Sequence, residues 1–287
     1  MVSKGFFSLS YEQLIAAQHG RLQQFGASQC VDVHCHCLPG LDDGPASMSE
    51  AMVLCEMLVA DGVTTVIATP HQLGRFEGCY GAQQIREAVG ELNYAMEKRG
   101  IPLKIAAGAD VRLDERIPQL LGSGQILTLG DTGRYILLEL PHETFINPQP
   151  LMTNLSSLGL RTVISHPERN VFLAKNPSMV LKWAELGACL QITAASLVGD
   201  FGPLVRDAAW YFLSTPLGLL VATDAHDRNF RSPRMAKAFE LIAEHQSGVV
   251  AQRLCVGNPM RILNGQELLS RVPLQDRRPA NDFAADQ

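Results

Sequence analysis

Apolar residues in this chain come in short, dense runs separated by longer amphipathic stretches. The runs open at Val31, Thr64, Leu103, Tyr135, Arg161, Ala188 and Leu219. Most of their positions are β-branched or aliphatic, without strict polar alternation, which predicts strands covered on both faces. Helical periodicity appears between them, over 49–61, about 83–99, 178–186, 233–245 and 249–263. Ser47 or Ser49 is the expected N-cap of the first, and Gly62 its stop. Leu14, Ile15, Leu22 and Phe25 give a looser helical spacing over 11–25, read as an amphipathic helix lying on the body of the domain. Strand and helix alternate, so the predicted sheet is mostly parallel. The expected organisation is a helical extension over 1–29, one α/β domain over 30–265, and a polar, Pro-containing tail over 266–287 expected to be disordered.

At 287 residues and 46% hydrophobic, the chain can bury one large α/β core. Its net charge of −5 is dispersed, with no basic run, which argues against a nucleic-acid partner. No run of about 20 apolar residues suggests insertion into a membrane. The first ten residues, MVSKGFFSLS, lack the apolar centre of a signal peptide. Seven Cys without a C-x-x-C spacing fit reduced thiols, so the expected compartment is the cytoplasm.

The chemistry lies at the ends of the strands. In VDVHCHCLPGLDDG, alternation along a strand puts Asp32, His34 and His36 on one face and Val31, Val33, Cys35 and Cys37 on the other. A Pro-Gly turn then brings back Asp42 and Asp43. Later strands end at or just before His71, Asp110, Glu139, His166 and Asp224/His226; only the run at Ala188 carries no such residue. Each taken alone has an ordinary reading as a helix cap or a hydrogen-bonded loop residue. Together they would converge on one rim if the strands are parallel, because α/β barrels build their sites at the C-terminal strand ends. Imidazole with carboxylate, and no Cys, suits Mn, Fe or Zn in a multinuclear hydrolytic site. Nine such ligands are too many for one ion and about right for three. Cys255 and Arg261 show the C-x5-R spacing of cysteine-dependent phosphatases, but a Pro and a helical context weaken that reading.

These residues match a known family. VDVHCHCLPGLDDGPASM, GVTTVIATPHQ, AGADVRLDE, YILLELP, VISHPERN, QITAASLVG, VATDAHD and VGNPMRIL make the chain resemble the polymerase and histidinol phosphatase (PHP) superfamily. It looks most like the manganese-dependent bacterial protein-tyrosine phosphatases of capsule and exopolysaccharide loci. The resemblance implies a distorted seven-stranded (β/α) barrel of the PHP, TIM-like type, holding up to three divalent ions, manganese first. It implies one ion on His34, His36 and Asp224, with Asp110 bridging to a second on Glu139 and His166. A third would sit on Asp43, His71 and His226. Arg169 and Arg231 match the family's phosphate-binding arginines. The implied reaction is attack of a metal-activated water on phosphotyrosine, and the implied partner a bacterial tyrosine autokinase. The family's bridging residue is usually Glu; here it is Asp110, one methylene shorter. Two other readings stand beside this one. One is a PHP hydrolase of a small phosphoester such as histidinol phosphate, and the other a metal-poor relative that only binds a partner. Oligomeric state is left open.

Overall fold

The computed structural model describes residues 9–269 except 185 and 216. The tail expected to be disordered therefore lies, from residue 270 on, outside the described residues. Among the described residues nine strands form: β1 Val31–Cys35, β2 Thr65–Ala68, β3 His71–Gln72, β4 Lys104–Ala107, β5 Asp110–Arg112, β6 Tyr135–Glu139, β7 Arg161–Ser165, β8 Cys189–Thr193 and β9 Gly218–Ala222. All pair in parallel, in one sheet of order β1-β2-β4 and a second of order β3-β5-β6-β7-β8-β9.

Nine segments appear where seven runs were expected because two runs break in the middle. Pro70 has no N–H to donate, and it separates β2 from β3. Gly108 and Ala109 separate β4 from β5 at the same level of the sheet. Gly108 is required there by space: a Cβ would meet Ile67 Cγ2 at 2.6 Å. Both lines resume with the same neighbour order, β2 beside β4 and β3 beside β5. The first sheet also meets the segment after β9. Cys35 and Ala225 form an isolated parallel bridge, Asp224 N–H donates to His34 O at 2.7 Å, and His36 N–H donates to Ala225 O at 2.9 Å.

Strict alternation in β1 does not hold. The pairing with β2 is irregular between Asp32 and Cys35. Val31 and Val33 pack in a small apolar cluster with Ile67, Leu137, Val163 and Leu220, whereas Cys35 and Cys37 join the main core under the helices. Four residues expected on one face are thus split between two. Asp32 turns away from the histidine cluster. Its carboxylate accepts from Thr223 N–H at 3.0 Å and from the Thr223 hydroxyl, stitching β1 to the end of β9.

The small cluster is the floor of the site. Side chains two apart on a strand share a face, so Leu137 is followed upward by Glu139 and Cys189 by Gln191. Helices cover the outer side. The helix Met48–Ala60 starts at Ser47, which accepts from Glu50 N–H, and it buries Met52, Leu54, Leu58 and Val59. The N-terminal helix Tyr11–Gln24 lies on the body: Leu14, Leu22 and Phe25 are buried, and Gln18 donates to Val63 O at 2.7 Å. The expected helix over 178–186 is shorter, Leu181–Ala184, preceded by 3-10 turns. Helices Gln149–Ser157 and Pro203–Ser214 were not anticipated. Among the described residues, no helix is long and apolar enough to cross a membrane.

Candidate metal centre

Parallel register does most of the assembly. It pairs His71 directly with Asp110 across β3 and β5, and Arg112 with Glu139 across β5 and β6. His34 and His36 come from the end of β1, His166 follows β7, and Asp224 and His226 follow β9. The loop after β1 returns Asp42 and Asp43 because Gly44 packs against its own strand end. A Cβ at Gly44 would stand 2.4 Å from His36 O. Three residues around the cluster have left-handed backbones without being glycine: Leu73, His166 and Asp224. Such conformations cost of order 1–3 kcal/mol each and concentrate at functional sites.

All nine residues expected at the rim are brought together. Potential ligand atoms lie within 4.8 Å of one another in the sets His34/His36/Asp224, His36/Asp43/His71/His226, His34/Asp110/His166 and His71/Asp110/Glu139. Asp110 is fully buried, and neither carboxylate oxygen has a hydrogen-bond partner. Its Oδ2 lies 3.6 Å from His34 Nε2, 3.6 Å from His71 Nδ1 and 3.9 Å from His166 Nε2. A naked carboxylate among imidazoles is costly to bury unless a cation completes it.

The tautomers point the same way. Gln191 Oε1 accepts from His166 N–H at 3.2 Å, so the atom 2.8 Å from His34 Nδ1 is an oxygen and Nδ1 is the donor. His36 Nδ1 donates to Asp42 Oδ2 at 2.5 Å, and His226 Nδ1 donates to Asp224 O at 3.0 Å. All three rings therefore present an Nε2 lone pair. Those of His34 and His36 face each other at 3.1 Å, and that of His226 makes no hydrogen bond and lies 3.4 Å from Asp43 Oδ1. Facing lone pairs repel unless a positive charge joins them. The donor set, its orientation and its orphaned atoms fit a divalent-cation site.

Burial keeps the imidazoles neutral, the form that binds metal. It lowers His34 and His71 to about 4 and holds His36 and His166 well below the usual value. The carboxylates diverge. Burial pushes Asp110 up, with the charges of Glu139 and Asp224 adding to it. Burial also raises Asp224, but Arg231, His34 and Arg169 outweigh it and hold that carboxyl well below the usual range.

The two arginines expected at the phosphate meet on one oxygen. Arg231 Nη2 donates to Asp224 Oδ2 at 2.5 Å, and Arg169 Nη1 donates to the same atom. Each guanidinium has donors left over; Arg231 Nε is buried and without a partner. Both line a cavity of about 450 Å³ with Asp43, His71, Glu139 and His166.

Three contributors were not foreseen, and a fourth, Asp42, was expected only as an acidic residue returned by the turn. His142, three residues beyond Glu139, forms a further set with Glu139 and His166. Gln191 comes from β8, whose run had offered no ligand. Arg112 pairs with Glu139 at 3.1 Å. Asp42 orients His36 and accepts from His71 N–H at 3.0 Å. The spacing P-H-E after Glu139 was the available signal for His142. Cys255 is elsewhere: it is fully buried in a π-helical turn, Arg253–Gly257, and burial pushes its thiol up. A thiol so placed is neither ionised nor accessible for attack.

Known proteins share this chain's sequence and fold. The chain is similar to the tyrosine-protein phosphatase YwqE of Bacillus subtilis, with 32% identity over 251 residues, 86% of this chain and 97% of the relative. It is 30% identical to the putative tyrosine-protein phosphatase CapC of Staphylococcus aureus, over 88% of this chain and 98% of the relative. It is also 30% identical to the tyrosine-protein phosphatase CpsB of Streptococcus pneumoniae, over 82% and 99%. A solved structure from work on YwqE of Bacillus subtilis and CpsB of Streptococcus pneumoniae, described as unique metal-dependent tyrosine phosphatases, superposes with a TM-score of 0.79. That match has 32% identity and covers 84% of this chain and 97% of that one. The family described as capsular polysaccharide synthesis, CpsB/CapC, matches residues 30–264, and with nearly the whole α/β domain so covered, the chain belongs to the CpsB/CapC family.

Proposed function

We propose that this protein is a metal-dependent protein-tyrosine phosphatase acting on phosphotyrosine in a bacterial capsule or exopolysaccharide pathway. The observation that carries the reading is the buried Asp110, whose carboxylate oxygens have no hydrogen-bond partner, with the Nε2 atoms of His34 and His36 facing each other at 3.1 Å, beside two arginines with donors to spare. His34, His36, Asp43, His71, Asp110, Glu139, His166, Asp224 and His226 would hold up to three divalent cations, manganese first, with Fe or Zn as alternatives. His142 joins this set as a tenth candidate. Bound cations would supply Lewis acidity at the phosphoryl oxygens and a water ionised at neutral pH.

The chain's own residues do the rest. Arg169 and Arg231 offer planar forks of N–H donors that match phosphate oxygens and hold the group against the floor of the cavity. Asp42 and Gln191 fix the ring orientations of His36 and His34, so that no reorganisation is needed when the site fills. Phe76, stacked on His71 with ring centroids 5.5 Å apart, gives the cavity an aromatic wall suited to a phenyl ester.

The same reading closes the two sheets into one interrupted barrel, through the bridge between Cys35 and Ala225. It makes 30–265 the phosphatase domain, with the helix Tyr11–Gln24 of the preceding extension docked on it. The substrate would be a phosphotyrosine protein, a tyrosine autokinase first, met in the cytoplasm. The test is hydrolysis of a phosphotyrosine peptide and of histidinol phosphate by protein stripped with chelator and then reloaded with Mn²⁺. Mn-dependent cleavage of the peptide in preference to histidinol phosphate supports the reading. Cleavage of histidinol phosphate alone would replace it with the small-phosphoester reading, and inactivity on both would leave a binding protein.

A further inference from the structure

The turn that brings His226 and Arg231 into the site also points Phe230 out of it. The turn is tied to itself: Asp227 Oδ1 accepts from Asn229 N–H at 2.6 Å and Phe230 N–H at 2.7 Å, and His226 N–H donates to Arg231 O at 2.9 Å. A loop braced in this way presents its tip in a fixed position. The tip is a phenyl ring, 87% exposed, against 61% for Tyr94 and Val249, the next most exposed large apolar residues described. Nothing in the fold needs an apolar ring there.

Beside it is a second cavity of about 490 Å³ with a mixed lining, where Pro45, Val53 and Phe230 are the apolar side chains among polar ones such as Ser47, Asp227 and Arg228. Glu50 also lines it, but its carboxylate already accepts from Ala46 N–H at 2.9 Å. The two cavities are neighbours along the chain at two places. Asp43 lines the first and Gly44 the second; Arg231 lines the first and Phe230 the second. A small phosphoester held at the arginines would occupy only the first. Side chains along an extended peptide that share a face are about 7 Å apart, so a polypeptide bound through phosphotyrosine extends beyond the first cavity.

We propose that Phe230 and this second cavity form a subsite for the polypeptide flanking phosphotyrosine, taking an apolar side chain of the substrate protein. The inference rests on the phosphatase reading and names what that site selects. Pre-ordered aromatic residues at the edge of a binding cleft supply contact area at little entropic cost, which is how anchor residues act in protein recognition.

The test uses the full chain loaded with Mn²⁺ and three substrates: p-nitrophenyl phosphate, a phosphotyrosine peptide with leucines on both sides, and the same peptide with glycines. Native protein should prefer the leucine peptide. Phe230→Ala should lower kcat/KM on that peptide about tenfold, mainly through KM, while p-nitrophenyl phosphate changes by less than about twofold. Phe230→Leu should restore most of the loss. Equal losses on all three substrates, or no loss on the leucine peptide, would overturn the subsite while leaving the phosphatase reading intact. Native protein inactive on all three would instead remove the phosphatase reading, and the subsite with it.

Discussion

The Nε2 atoms of His34 and His36 lie 3.1 Å apart while both Nδ1 atoms are already committed as donors, to Gln191 and Asp42. Two acceptors cannot be brought so close in a buried space without a shared positive charge. The partner that enforces this on His34 is Gln191, which comes from the strand that offered no ligand of its own. Replacing Gln191 with Leu frees His34 to adopt the other tautomer and to rotate. Mn²⁺ affinity, followed by calorimetry on stripped protein, should fall by about 10- to 100-fold, the usual effect of losing a residue that orients a metal-binding histidine. Unchanged affinity would mean that the ring is held by packing alone.

Cys255 provides the complementary control. If the buried thiol takes no part in catalysis, Cys255→Ala keeps kcat/KM near the native value while losing about 1 kcal/mol of stability from the small void. Chelation of the native protein should abolish turnover, and Mn²⁺ should restore it. Turnover lost in Cys255→Ala yet surviving chelator would point to thiol chemistry after all.

The contrast between Cys255 and the histidines also shows what a sequence can and cannot disclose. The rim residues were legible because parallel strands bring their ends to one side, whatever their exact lengths. Four things were hidden. The slip in β1 depends on Asp32 bonding Thr223, a residue 191 positions away. The short strands β3 and β5 resume beyond Pro70 and Gly108, and the second break is set by space, since a Cβ at Gly108 would meet Ile67. His142 sits past the end of β6, on a loop whose path no periodicity marks. Helix Pro203–Ser214 follows two left-handed glycines, Gly199 and Gly202, and opens on a proline, residues that mark a break in the pattern and not a helix.

Stability should respond to pH through Asp61, remote from the metal candidates. Its carboxylate receives the N–H groups of Met235 at 2.6 Å and Ala236 at 3.3 Å, capping the helix Met235–His245 from outside. Burial nevertheless raises its pKa to about 6 from 3.8, despite those bonds. A folded-state pKa above the unfolded one means stability is fully present below about 4 and is lost as pH rises through about 6. Two units correspond to about 3 kcal/mol. Asp61→Asn keeps an acceptor for Met235 N–H without the charge. Its unfolding free energy relative to native should therefore improve by up to about 3 kcal/mol between pH 4 and pH 7, in chelator-treated protein. A difference that does not vary with pH would show that Asp61 stays ionised without penalty.

Asp110 is the residue on which the candidate site turns. It is fully buried, its oxygens are unpartnered, and it stands within 4 Å of three imidazoles drawn from β1, β3 and the end of β7. Asp43, by contrast, is about one-third exposed and already pairs with Arg75 at 2.5 Å. Loss of Asp110 should therefore cost more than loss of Asp43: Asp110→Ala should lower both metal content and rate further than Asp43→Ala does, since it removes a donor shared by two ligand sets where Asp43 belongs to one. Asp110→Glu is the sharper probe. Gly108, two residues earlier, is pressed against Ile67 and Ala68, so the backbone has little room to retreat and admit another methylene. The longer carboxylate should crowd His34 and His71 and lower the rate, by about tenfold if the strain raises the barrier by about 1.4 kcal/mol. Elemental analysis and phosphotyrosine-peptide kinetics on the three variants decide it. Full metal content and native rate in Asp110→Ala would show that the buried carboxylate is not a ligand, and a faster Asp110→Glu would show that the cluster is built loosely enough to take the longer arm.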